Sequence, residues 1–232
     1  MADTPSIQLP LDLGVAAGHT RDDLVVAPAN AAAVDLIDRW PDWPSPVVVL
    51  AGPAGSGKTH LARLWAAAAG AAEASADRIG ADMLSAATAG RAVLIDGVDA
   101  GLDETGLFHL INSVRQGGGH LLLTSRRFPA AWPATLPDLQ SRLRAATVVE
   151  IAEPDDFLLS AVMTKLFADR QVKVEPHVIA YVANRIERSL STAMAVVHRL
   201  DAAGLARGSR ITRGLAAEIV SAIDEGQREL EL

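Results

Sequence analysis

Gly52-Pro53-Ala54-Gly55-Ser56-Gly57-Lys58-Thr59 has the spacing G-x-x-x-x-G-K-[ST], and that spacing binds phosphate. Glycines at 52, 55 and 57 let the backbone come close to a ligand, so that successive N–H groups converge on phosphate oxygens. Lys58 reaches the outer phosphates, and the Thr59 hydroxyl suits Mg²⁺. The pattern carries meaning only between a strand and a helix. Here the apolar run Val47-Val48-Val49-Leu50 precedes it and a helix-period stretch from His60 to Ala69 follows, whose N-terminal dipole favours anions. A nucleoside triphosphate or diphosphate is the implied ligand.

Asp96 ends a second buried apolar run, Ala92-Val93-Leu94-Ile95, and has the form of an acid that holds Mg²⁺ through water opposite Thr59. Enzymes of this kind commonly carry the acid that polarises the attacking water at the next position, which here is Gly97. Slow intrinsic hydrolysis is therefore expected. Asp99 is a substitute base or simply a turn carboxylate. Thr124 and Ser125 end a third run, Leu121-Leu122-Leu123, either within reach of a γ-phosphate or as strand-end caps. Between there and the last strand the chain carries Arg126, Arg127, Arg142 and Arg144. An arginine just before that strand has two readings: a finger that crosses a subunit boundary onto a neighbour's nucleotide, or a solvated surface cation.

The elements that must position these groups alternate. A short strand is expected at Leu24-Val25-Val26. Asn30 then opens a helix with Val34, Ile37 and Trp40 on one face, ended by Pro41 and Pro44. The strand at 47–51 and the phosphate-loop helix come next. Residues 71–90 are alanine-rich and read as one short strand and one short helix. Asp103 caps a helix bearing Leu107, Leu110, Ile111 and Val114, which Gly117 to Gly119 stop. Thr147 to Ile151 is a further strand. Continuously apolar strands between helices indicate a parallel sheet covered on both faces. After Pro154 the pattern changes to four amphipathic helical segments, about 155–169, 176–187, 191–203 and 212–223, with no strand between them.

The chain has 232 residues, enough for a nucleotide-binding unit and a smaller appendage. Residues 1–23 hold no sustained periodicity and read as a mobile tail, with a core over 24–152 and a helical lid over 153–232. No run approaches the ~18 apolar residues of a membrane span. The first basic residue is Arg21, so the charged start of a secretory signal is missing and a cytoplasmic location is expected. With no cysteine, disulfides, thiol catalysis and cysteine-ligated zinc are excluded. A net charge of −7 argues against an autonomous nucleic-acid face, so DNA would be reached through a partner. Eighteen of the 21 basic residues are arginine, so each arginine needs support from its position. In the tail, Gln8-Leu9-Pro10-Leu11-Asp12-Leu13 alternates its leucines; extended, it would present them on one side, either as a docking peptide or as a stray edge strand.

Taken together, several stretches resemble the AAA+ ATPases of the DnaA branch over about residues 24–225. They are the phosphate loop with Lys58-Thr59-His60-Leu61, Leu94-Ile95-Asp96, Leu123-Thr124-Ser125-Arg126-Arg127-Phe128-Pro129, Leu136-Pro137-Asp138-Leu139-Gln140-Ser141-Arg142-Leu143 and the helical lid. The resemblance implies a P-loop AAA+ core on a parallel five-stranded sheet, followed by a small all-α lid. Within the branch the chain is similar to the regulators that inactivate the initiator DnaA. Gln8 to Leu13 is similar to their sliding-clamp motif. Only about twenty residues separate the phosphate-loop helix from the Asp96 strand, too few for the helical insertion that initiators use on origin DNA. No helix-turn-helix domain like an initiator's is expected after the lid.

The resemblance implies that an ADP- or ATP-bound protein docks Gln8, Leu9, Leu11 and Leu13 on the β sliding clamp, meets DNA only through that clamp, and presents Arg142 to ATP held by DnaA. The loop Gly52 to Thr59 with His60 would hold the nucleotide, Thr59 and Asp96 the Mg²⁺, and Val26 would lie beside the base. Thr124 falls at the sensor 1 position, although Arg126 stands where the branch often carries an acid. The sensor 2 arginine of the lid registers on Ser191, with Arg188 one turn earlier. A helicase-loader or transposition-type ATPase of the same fold would instead show a basic DNA face and DNA-stimulated turnover. A small-molecule kinase is disfavoured because the helical segments follow the sheet rather than interrupt it.

Overall fold

The computed structural model describes Arg21 and residues 24–230, and the side chains of these except Ala100 and 224–230. The clamp-like segment Gln8 to Leu13 lies outside the described residues.

Five parallel strands form one sheet in the order β2-β3-β4-β1-β5: β1 is Val47–Ala51, β2 Ala72–Ala74, β3 Val93–Ile95, β4 Leu121–Ser125 and β5 Thr147–Glu150. Helix α1 (Ala31–Asp38) precedes β1, and α2 (Lys58–Ala69), α3 (Ala81–Thr88), α4 (Glu104–Gly117) and α5 (Pro137–Arg144) connect the strands. Four more follow: α6 (Asp156–Asp169), α7 (Pro176–Ala183), α8 (Leu190–Arg207) and α9 (Arg213–Leu230).

Side chains alternate across a strand, and that alternation builds two cores. Val47 and Val49 of β1 join Ile95, Leu121 and Leu123 against α4 and α5, whereas Val48 and Leu50 join Leu94 and Leu122 against α1 and α2. Every residue of β1 is buried, so β1 and β4 are fixed in the middle of the sheet and their carboxyl ends lie side by side. In such a sheet ligands bind beyond those ends. Helices α6 to α9 close around a third core, including Leu159, Met163, Phe167, Val196 and Leu200.

The expected strand at Leu24-Val25-Val26 does not form; these residues are irregular. Asn30 explains why. Its side chain accepts from the Ala27 N–H at 2.8 Å and donates to the Val25 carbonyl at 2.9 Å, bending the segment out of any ladder. It occupies the N-cap position of α1 but makes no side-chain bond to the helix. Elsewhere the expected elements are present: the alanine-rich stretch does hold β2 and α3, and the Asp103 carboxylate does cap α4, accepting from Gly106 N–H at 2.8 Å.

Candidate functional site

The loop between β1 and α2 ends where Gly57, in a left-handed conformation, turns the chain into α2, so the first amides of that helix face back toward the loop. Ser56 and Lys58 are buried. The Lys58 ammonium donates to the Pro53 carbonyl at 2.6 Å and to Ser56 Oγ at 3.3 Å, which folds its stem over the loop. Burial pushes the ammonium below its ordinary range; Asp99 opposes the shift, Arg126 adds to it and Asp96 opposes it. A desolvated ammonium of this kind gains from an anionic ligand, because phosphate oxygens can replace the carbonyl and hydroxyl it now uses.

Thr59, at the second residue of α2, donates from Oγ1 to Asp96 Oδ1 at 3.0 Å. Asp96 follows the last residue of β3, and β3 pairs with β4, so Thr124 on β4 comes alongside. Thr124 Oγ1 donates to the same Oδ1 at 2.6 Å and accepts from the Gly97 N–H at 2.8 Å. Both hydroxyls thus converge on one oxygen of Asp96, Oδ1. Among the described residues no group of three or more acids, histidines or cysteines could hold a metal unaided. Thr59 and Asp96 suit the hard, mostly hydrated Mg²⁺, which takes few protein oxygens and completes its shell with phosphate and water.

Thr124 is thereby committed. Its hydroxyl hydrogen goes to Asp96 rather than toward the phosphate loop, where a sensor would need it. Asp99 is committed as well: it accepts from Ser125 Oγ at 3.1 Å and from the Arg126 N–H at 2.5 Å, and pairs with Arg127 at 3.7 Å. The turn carboxylate therefore ties the 97–103 loop to the end of β4. Gly97, at φ 91°, occupies the position after Asp96 in a conformation that side chains rarely adopt.

The helical unit touches the loop directly, through a contact the sequence reading did not name. Leu190 N–H, at the start of α8, donates to the Gly55 carbonyl at 2.8 Å. A Cβ on Gly55, whose φ is +70°, would lie 2.1 Å from Ser189 Oγ. The Ser189-Leu190-Ser191-Thr192 start of an amphipathic run was a legible N-cap signal, and Ser189 Oγ does accept from Thr192 N–H; nothing in the sequence shows that this cap abuts Gly55. Ser191 Oγ lies 2.7 Å from Ser189 Oγ, and Arg188 pairs with Asp156 of α6 at 3.3 Å. Val26 is exposed. Arg142 is half-buried in the last turn of α5, and its guanidinium pairs with no carboxylate among the described residues.

The sheet order, the phosphate loop after β1 and the following helices make an α/β fold that this chain shares with solved structures of DnaA and RuvB. Domain III of the Thermotoga maritima replication initiation protein DnaA matches at a TM-score of 0.73 and 18% identity, over 88% of this chain and 96% of that one. A DnaA bound to AMPPCP and single-stranded DNA matches at 0.72 and 18% identity, over 92% of this chain and 72% of that one. The Thermotoga maritima RuvB Holliday junction branch migration motor matches at 0.70 and 18% identity, over 88% and 72%. No protein-family model matches the sequence. No helix among the described residues is long and apolar enough to cross a membrane.

Proposed function

We propose that this chain is a nucleotide-binding AAA+ regulator of the Hda type, which docks on the DNA-loaded β sliding clamp and stimulates ATP hydrolysis by the initiator DnaA. The observation that carries the reading is a division within the site. Lys58, Thr59 and Asp96 are assembled around the phosphate loop, whereas the position of the water-polarising acid is Gly97 and Arg142 on α5 pairs with no carboxylate among the described residues. Such a site retains a nucleotide, turns it over slowly, and offers its arginine to a neighbour.

In this reading residues 1–23 are the docking tail, 24–152 the nucleotide-binding core and 153–232 the lid. Gly52, Pro53, Ala54, Gly55, Ser56, Gly57, Lys58, Thr59 and His60 hold ADP or ATP, with Val26 beside the base. Thr59 and Asp96 hold Mg²⁺, which would neutralise charge between the phosphates. Thr124 and Arg188 are the weakest assignments, because one is bonded to Asp96 and the other to Asp156. Support comes from the AMPPCP-bound DnaA structures of like fold. It comes also from the stretch between α2 and β3, which holds only the three-residue β2 and the eight-residue α3 and leaves no room for an origin-binding insertion. The tail meets the clamp in the cytoplasm, and DNA is reached only through it.

The test is hydrolysis of ATP pre-bound to DnaA, with clamp loaded on DNA, using the full chain and its Arg142→Ala and Gln8→Ala forms. Acceleration by the unaltered chain that is lost in both variants is the expected result. If the unaltered chain gives no acceleration but hydrolyses ATP faster when DNA is added, the loader-type ATPase replaces this reading.

A further inference from the structure

We propose that Glu104 is a positioning residue that fixes the arginine helix α5 to the chain segment carrying Asp96, and so sets where Arg142 is presented. The inference rests on the trans role proposed for Arg142. Helix α5 cannot cap itself: Leu136, at its N-cap, has no side-chain oxygen, and Pro137, its first residue, has no N–H. The residues that lead into it are held instead from another element. Glu104, the first residue of α4, accepts through Oε2 from the backbone N–H groups of Leu136 and Thr135, each at 2.7 Å, and through Oε1 from Thr135 Oγ1 at 3.1 Å. One carboxylate thus takes three donors at the positive end of α5. Those bonds, Leu136's first, hold its carboxyl below the ordinary glutamate range.

Otherwise α5 is held by apolar packing and, at its far end, by Ser45 Oγ, which donates to the carbonyl of its C-cap residue Ala145 at 3.3 Å. Leu139 and Leu143 are buried against the sheet, but van der Waals contact is non-directional and does not by itself fix where the first turn of the helix sits. Eight residues make a helix only about 12 Å long, so movement at its first turn is carried to Arg142 in its last. The other end of the clamp is rooted. Asp103, next to Glu104, accepts from Gly106 N–H at 2.8 Å and from Ile79 N–H at 3.3 Å. Asp99, four residues before it, holds the end of β4, and Asp96 receives Thr59 and Thr124. The stretch 96–104 therefore sends a carboxylate to each neighbour in turn, from the phosphate loop to the arginine helix.

The test uses the full chain with Glu104→Ala, Glu104→Gln and Arg142→Ala forms. It measures the maximal rate of DnaA-bound ATP hydrolysis on clamp-loaded DNA, the concentration of chain that half-saturates it, and hydrogen exchange at the Thr135 and Leu136 amides. Glu104→Ala should lower the maximal rate about ten-fold or more, since a misplaced group loses orientation, while leaving half-saturation within about two-fold. Exchange at the two amides should quicken. Glu104→Gln keeps one acceptor oxygen and should lie between. If exchange quickens in Glu104→Ala but the maximal rate equals that of the unaltered chain, the clamp is structural only and the inference falls, provided Arg142→Ala has lost stimulation. If Arg142→Ala retains stimulation, or the unaltered chain has none, the proposed function fails first and the role of Glu104 in it fails with it.

Discussion

The carboxyl ends of β3 and β4 and the helix α5 are parts of one sheet unit, yet they treat charge in opposite ways. At the strand ends Lys58, Thr59, Asp96, Asp99, Thr124 and Ser125 bond to one another or to the loop backbone, and three of the six are nearly inaccessible to solvent. On α5 the carboxylate bonding is at the start of the helix, and Arg142, about a turn and a half later, meets no carboxylate among the described residues. A preorganised cradle holds a ligand. An unpaired guanidinium on a clamped helix is placed for a partner's charge instead. One fold can thus bind a nucleotide for itself and direct its catalytic group elsewhere.

The sharpest break between the two regions is expected from Arg142→Ala, which should lower stimulated hydrolysis about 10³-fold, the scale of an arginine finger. It should leave ADP affinity and thermal stability unchanged, since a half-buried arginine without partners contributes within about 0.5 kcal/mol. Arg142→Lys should not restore the rate, because an ammonium lacks the planar fork. Lys58→Ala is the converse. Losing charge-assisted bonds to phosphate should weaken ADP binding roughly 100-fold in a fluorescent-nucleotide titration. Equal loss of ADP affinity in both variants would erase the comparison.

Two smaller changes sharpen it within the cradle. Gly55→Ala puts a Cβ 2.1 Å from Ser189 Oγ at a residue whose φ is +70°. The left-handed strain alone costs about 1–2 kcal/mol, a fall in Tm of roughly 3–6 °C by calorimetry, and ADP release should quicken as α8 is pushed off the loop. Thr124→Val removes the hydroxyl that bridges Asp96 and the Gly97 N–H. About 1–2 kcal/mol should be lost in urea denaturation. If Thr124→Val weakens ADP binding as much as Lys58→Ala does, Thr124 touches the nucleotide rather than only orienting Asp96.

Most of the sheet was legible because its strands are continuously apolar and its turns carry glycine or proline, signals that depend only on neighbours in the chain. The phosphate loop was legible for the same reason, since its glycines, lysine and threonine are contiguous. Leu24-Val25-Val26 misled because three β-formers next to each other say nothing of Asn30, whose amide bends them by bonds to Ala27 and Val25. Contacts made across distant sequence were invisible: Leu190 on Gly55, Thr124 on Asp96, and Glu104 on Leu136 join residues with no shared periodicity. The acid that caps α5 lies 32 positions before the amide it receives, where a capping box would have placed it three residues after.

That distant cap gives the smallest predicted effect and the most specific. Glu104 has a folded-state carboxyl pKa below its ordinary value of 4.5, so in acid the unfolded chain binds more protons there than the folded one. Its contribution is therefore fully present above about pH 4.5 and is lost as pH falls through the lower, folded value. Glu104→Gln cannot titrate. Comparing urea midpoints of the two forms from pH 6 down to about pH 3 should show the unaltered chain more stable at the upper end and the gap closing below about 4.5. The carboxylate is solvent-facing, so added salt should narrow the gap at pH 6. Hydrogen exchange should localise the change to the Thr135–Leu136 turn and leave the amides of β1 and β4 protected. A gap that stays constant with pH would mean that packing of the Glu104 stem, not its charge, holds α5 in place.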